Sequence, residues 1–111
     1  MTYTFSRKAE DDLVGIYVEG ASLFGEKQAD EYHHDIEKMV DLLSKSPRIA
    51  RERLEISPPV RIHPFRSHLI PQGILSAVFS IHLIVYIVGD NDEIFIVRIR
   101  HRHEDWQGDS L

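Results

Sequence analysis

The sequence predicts an α+β fold, with a hairpin of two helices packed on one face of a small antiparallel β-sheet. Three observations predict it. Apolar residues recur at helical spacing from Ala9 to Leu43. The period then changes to two after residue 59, and a polar connector closed by Pro58-Pro59 separates the two regimes. Two helices that arrive as one hairpin cover one face of a sheet, so the opposite face is expected to stay open.

Thr2 to Phe5 alternates weakly and suits an edge strand. Ser6 is a good N-cap for a helix whose stripe is Ala9, Leu13, Ile16, Tyr17 and Gly20. Glu10, Asp11, Asp12 and Glu19 mark its solvent side, the first three near the positive end of the helix dipole. Ser22-Leu23-Phe24-Gly25 reads as the break, with Gly25 as the cap. The second helix carries Ala29, Tyr32, Ile36, Met39, Val40 and Leu43 on one face and ends at Pro47, so the hairpin spans 6–46. The sheet is expected within 60–101. Val60-Arg61-Ile62-His63 alternates, His82 to Val88 is an apolar strand, and Gly89-Asp90-Asn91-Asp92 is a turn. On the last strand, Glu93 to His101, strict alternation puts Phe95, Val97 and Ile99 on one face and Ile94, Ile96, Arg98 and Arg100 on the other. The tail, 104–111, is polar apart from Trp106.

A chain of 111 residues, 42% hydrophobic and 28% charged, suits one globular domain, 1–111. No run is long and apolar enough for a membrane span, and no signal peptide is evident. The absence of cysteine excludes disulfide and thiol chemistry and fits a reducing cytoplasm. The net charge of -5 is unevenly spread. Residues 1–46 hold ten Asp/Glu against five Lys/Arg, whereas 47–111 hold eight of each, and every lysine lies at or before Lys45. An acidic chain is a poor general binder of nucleic acid, because affinity for phosphate comes mainly from neutralising it. No direct sequence-specific binding of nucleic acid is therefore expected.

The stretch FSRKAEDDLVGIYVEGASLFGEKQADEYHHDIEKMVDLLSKSPRIARER, followed by VRIHPF, HLIVY and IVRIRHRHEDW, resembles the ParE branch of the RelE/ParE toxins over residues 3–67 and 82–106. The resemblance implies the toxin of a type II toxin–antitoxin pair of the plasmid-stabilisation kind. Such a toxin binds DNA gyrase and is neutralised by a ParD-like antitoxin, whose flexible part orders on it as a helix or strand. The RelE branch instead cleaves messenger RNA on the ribosome, and a shared fold cannot choose between the branches. An inactive member kept as an antitoxin-binding module is the third class. A homodimer or a toxin–antitoxin hetero-oligomer fits any of the three.

The candidate partner-binding residues are Arg61, Ile94, Ile96, Arg98, Arg100 and Trp106, with the arginines expected on the open sheet face beside exposed Ile94 and Ile96. Were the chain a ribonuclease, His101 would serve as acid or base, Arg98 would stabilise phosphate and His103 would assist. His101 and His103 lack a third ligand at defined spacing, so no metal is expected, and no cofactor is implied. His33 and His34 are neighbours on a helix and read as surface residues.

His-Leu-Ile occurs at 68–70 and again at 82–84. With residues 68–81 excised, the chain reads as a continuous ParE-like passage. This segment therefore reads as an apolar insert, expected to lengthen the sheet hairpin through a Pro71-Gln72-Gly73 turn. The other expectation is an edge that pairs with a second copy.

Overall fold

The computed structural model describes residues 3–55, 59–65 and 82–101. The 68–81 segment and the 104–111 tail lie outside them. The described elements are β1 (Tyr3–Phe5), α1 (Arg7–Phe24), α2 (Glu26–Lys45), β2 (Glu52–Arg53), β3 (Val60–Phe65), β4 (His82–Val88) and β5 (Ile94–His101). The five strands form one sheet in the order β1-β5-β4-β3-β2. It is antiparallel except that β1 runs parallel to β5, so the sheet is mixed.

Ser6 starts α1 and fixes it to the sheet at the same time. Its Oγ accepts from the Ala9 backbone N–H at 3.0 Å and donates to the Val97 carbonyl at 2.7 Å. Its backbone N–H donates to the Ile96 carbonyl, prolonging the β1–β5 ladder by one bond. The break between the helices is shorter than Ser22-Leu23-Phe24-Gly25 suggests, since α1 continues to Phe24 and α2 begins at Glu26. Gly25 alone makes the corner, at φ 92°, which side chains rarely tolerate. Its N–H closes α1 on the Ala21 carbonyl.

The core lies between the helices and one sheet face. Leu13 from α1 and Tyr32, Ile36, Val40 and Leu43 from α2 meet Ile84, Tyr86, Ile94, Ile96 and Ile99. Burying each large apolar side chain contributes about 1.5–3 kcal/mol. The Tyr86 hydroxyl donates to the Pro47 carbonyl and ties the sheet to the end of the hairpin. A smaller cluster of Val60, Ile62 and Val85, with Leu83, Ile87 and Val97 packed against it, occupies the second face.

Strict alternation along β5 fails at one residue. Val85 pairs with Arg98 and Tyr86 with Ile96, which leaves Val97 as an extra residue in a β-bulge. The bulge reverses the facing of everything after it. Ile94, Ile96 and Ile99 therefore share the helix-covered face, and Ile94 and Ile96 are 0% exposed. They belong to the core and not to an open face beside the arginines.

Candidate partner-binding site

Three arginines were expected to share the open sheet face, and the structure divides them. Arg61 stands opposite core-facing Tyr86, and its Nη1 donates to the Ala50 carbonyl at 2.6 Å. Arg98 and Arg100 stand opposite Val85 and Leu83 on the second face. Arg100 is buried, at 9% exposure. Arg98 reaches across the sheet edge to α1, where its Nε and Nη2 donate to the two carboxylate oxygens of Asp12 at 2.8 and 2.9 Å. Asp12 also accepts from the Ile99 backbone N–H at 2.9 Å, so it is not the solvent-side acid that helical spacing implies. The side chain of His101, together with Arg102, His103 and Trp106, lies outside the described residues. Among the described residues no group of three or more His, Cys, Asp or Glu is placed to hold a metal. No described helix is long and apolar enough to cross a membrane.

The helical hairpin also exposes an apolar strip beside the stripe that faces the core. Leu13, Val14 and Tyr17 of α1 line an open groove of about 410 Å³ with Glu10 of the same helix and Asp30 and His33 of α2. Val14 is 62% exposed, and Val18 one turn further along α1 is 61% exposed. The groove has a defined shape. The Tyr17 hydroxyl donates to Asp30 Oδ1 at 2.6 Å, and the Tyr17 ring meets the His33 imidazole edge-on at 6.3 Å. That hydrogen bond, aided by the charges of Asp30 and Glu26, holds the Tyr17 hydroxyl above its ordinary pKa. His33 in turn lies 3.8 Å from Glu37. Among the described residues the lining contains two carboxylates and neither Lys nor Arg.

The family model for the ParE toxin of the type II toxin–antitoxin system parDE matches residues 3–106. The chain belongs to the ParE toxin family. A solved structure described as the chromosomal ParDE toxin–antitoxin system from P. aeruginosa is 26% identical. Its alignment covers 91% of this chain and 95% of that one, with a TM-score of 0.64. No functionally curated protein matches the sequence.

Two features of this ParE-family chain escape reading by pattern. One is the exposed apolar strip on α1, because Val14 and Val18 sit outside the single stripe that explains the helix. The signal for it was available: two β-branched residues at i and i+4 on a solvent face, where helix propensity favours neither. The other is a buried polar pair beneath α2. The Tyr32 hydroxyl and His82 Nδ1 share a 2.6 Å hydrogen bond, both residues are buried, and the Phe65 ring packs edge-on to Tyr32. Burial, with the nearby Asp35 charge, pushes the Tyr32 phenol well above its ordinary range. Nothing in the alternation of β4 marks His82 as the residue that completes this pair.

Proposed function

We propose that this ParE-family chain is a toxin that acts in the cytoplasm by binding DNA gyrase stoichiometrically and is neutralised by a ParD-like antitoxin. The observation that carries this reading is the family match running through both helices and the sheet, from residue 3 to 106. The disposition of the arginines supports binding over catalysis on RNA. A ribosome-bound nuclease draws its affinity from cations presented to phosphate. Here Arg98 is held in a two-pronged pair with Asp12, Arg61 is turned toward Ala50, and Arg100 is buried. Stoichiometric inhibition asks for a shaped surface and no proton-transfer machinery.

The test is expression of the chain alone. Growth should arrest, with a DNA-damage response and accumulation of covalent gyrase–DNA complexes. Messenger RNA cut within codons, with gyrase complexes at background, would overturn the reading in favour of a ribonuclease. No arrest at all, with the chain folded and abundant, would leave an antitoxin-binding module without toxic activity.

A further inference from the structure

We infer that Tyr32 and His82 form an acid-sensitive latch, which fastens α2 to the sheet while the His82 imidazole is neutral and loosens it when the imidazole takes up a proton. Stoichiometric binding of gyrase makes no use of this pair, so the latch stands or falls apart from the toxin reading.

Geometry makes the latch. Tyr32, at 2% exposure, lies within α2, and His82, at 4%, opens β4. The Tyr32 hydroxyl and His82 Nδ1 stand 2.6 Å apart, with ring centroids 5.7 Å apart. Phe65, the strand partner of His82 on β3, packs edge-on against Tyr32 at 5.4 Å. A buried hydroxyl needs an acceptor, and a neutral imidazole offers one at the ring nitrogen that lacks the proton. Burial keeps the Tyr32 phenol protonated. Its O–H therefore donates to Nδ1, and the His82 proton sits on Nε2. A second proton on the ring has to enter at Nδ1. The new N–H would then face the Tyr32 O–H across 2.6 Å, and the hydroxyl would have to turn away from its acceptor.

The charged groups around the pair decide the sign. On β5 the strand partner of His82 is a second histidine, His101. On β3 the nearest titratable residue is His63, which is bonded to the Pro64 carbonyl. Neither histidine supplies a countercharge. On α2, Asp35 lies one turn beyond Tyr32 and acts on the same phenol. Its carboxylate favours a cation at His82 and tempers the effect, but Asp35 is only partly buried, whereas an imidazolium at His82 would be almost wholly removed from water. Desolvation of the cation therefore outweighs the attraction. The folded chain binds this proton less tightly than the unfolded chain. The latch is closed above the ordinary histidine value of about 6.5 and weakens as pH falls below it. Helix α1 is fastened separately, by Ser6 to Val97 and by Asp12 to Ile99, so acid loosens α2 first.

The chain has seven histidines, so the test has to read His82 itself. Nitrogen NMR of the folded full chain does so. At about pH 6 the His82 ring should be neutral, with its proton on Nε2. His82→Asn supplies an acceptor that does not titrate, an amide oxygen in place of Nδ1. Urea unfolding of the two proteins then isolates the latch. Between about pH 7.5 and 5.5 the folding equilibrium constant of the wild type should fall about fivefold or more relative to that of His82→Asn. Hydrogen exchange should show the α2 amides around Tyr32 losing protection on acidification before the α1 amides around Leu13 do. An imidazolium at His82 in the folded chain at about pH 6, a neutral ring protonated on Nδ1, parallel pH dependence of the two proteins, or two helices that lose protection together would each overturn the latch. Should His82→Asn fail to fold, the ring tautomer and the exchange pattern of the wild type decide by themselves.

Discussion

Asp12 and Arg98 stand 86 residues apart in the chain and meet in a two-pronged ion pair at 2.8 and 2.9 Å. The pair closes an opening in the sheet. Strand β1 ends at Phe5, so the outer edge of β5 loses its strand partner beyond Ile96. An unpaired strand edge invites pairing with another chain. Ser6 takes the Val97 carbonyl and Asp12 takes the Ile99 N–H, so helix α1 completes the edge that β1 leaves unfinished.

The Asp12–Arg98 pair should behave as one coupled unit. Both side chains are well covered, at 15% and 16% exposure, so removing either leaves a partly buried charge. Arg98→Ala and Asp12→Ala are each expected to cost about 1–3 kcal/mol. The double variant should cost less than the sum of the two by about 1 kcal/mol or more. Urea denaturation of the four proteins measures this, and additivity would show that the pair contributes nothing as a pair. Asp12→Asn should lose less than Asp12→Ala, because an amide oxygen still accepts from Ile99.

Ser6 has two obligations, and a substitution that meets one of them should not suffice. Ser6→Ala removes the N-cap acceptor and the donor to Val97, for an expected loss of about 1–2 kcal/mol. Aspartate caps helices as well as serine does. At this site, however, its carboxylate would face the Val97 carbonyl without a proton to offer. Ser6→Asp should therefore fail to recover the stability of serine in chemical denaturation, and full recovery would reduce Ser6 to a simple cap.

The periodic part of the fold is legible in the sequence because burial imposes it. The stripes of α1 and α2, the alternation of β3, the apolar strand β4 and the Gly89–Asp92 turn all appear where the pattern puts them. What pattern does not carry is any feature that breaks a period or joins distant residues. The bulge at Val97 shifts β5 by one residue and puts Arg98 and Arg100 on the face opposite Ile94 and Ile96, which stay in the core. The connector reads as polar and yields a strand of two residues, β2, because pairing with Val60 and Arg61 supplies what propensity does not. Asp12 looks like a solvent-side acid because its partner lies in the last strand.

Ahead of the bulge, the alternation of β5 gives neighbouring residues opposite roles. Ile96 is 0% exposed beneath the helices, whereas Phe95 is 42% exposed on the second face. Ile96→Ala should cost about 2–5 kcal/mol, the range for emptying a close-packed core site. Phe95→Ala should cost far less, despite removing more carbon. Equal losses in thermal or urea unfolding would contradict the register that places Ile96 opposite Tyr86.

Alkaline unfolding should be controlled in part by the phenol buried beneath α2. Burial comes first, and the Asp35 charge adds to it, in holding Tyr32 protonated in the folded chain far above the ordinary value of 10.0. A folded-state pKa above that of the unfolded chain means that the folded chain binds the proton more tightly. The stabilisation is fully present below pH 10 and is lost as pH rises above it, where the unfolded chain releases the proton first. Each such group steepens the decline by about 1.4 kcal/mol per pH unit. Tyr86, raised chiefly by its own burial, acts in the same direction. Tyr32→Phe should then do two opposite things. At neutral pH it deprives His82 Nδ1 of its 2.6 Å partner and should lower stability by about 1–3 kcal/mol. Above pH 10 its stability should fall less steeply than that of the wild type, so the two curves converge. Urea midpoints taken from pH 8 to 11.5 would show this, and parallel curves would mean that the Tyr32 phenol titrates alike in the folded and unfolded chains.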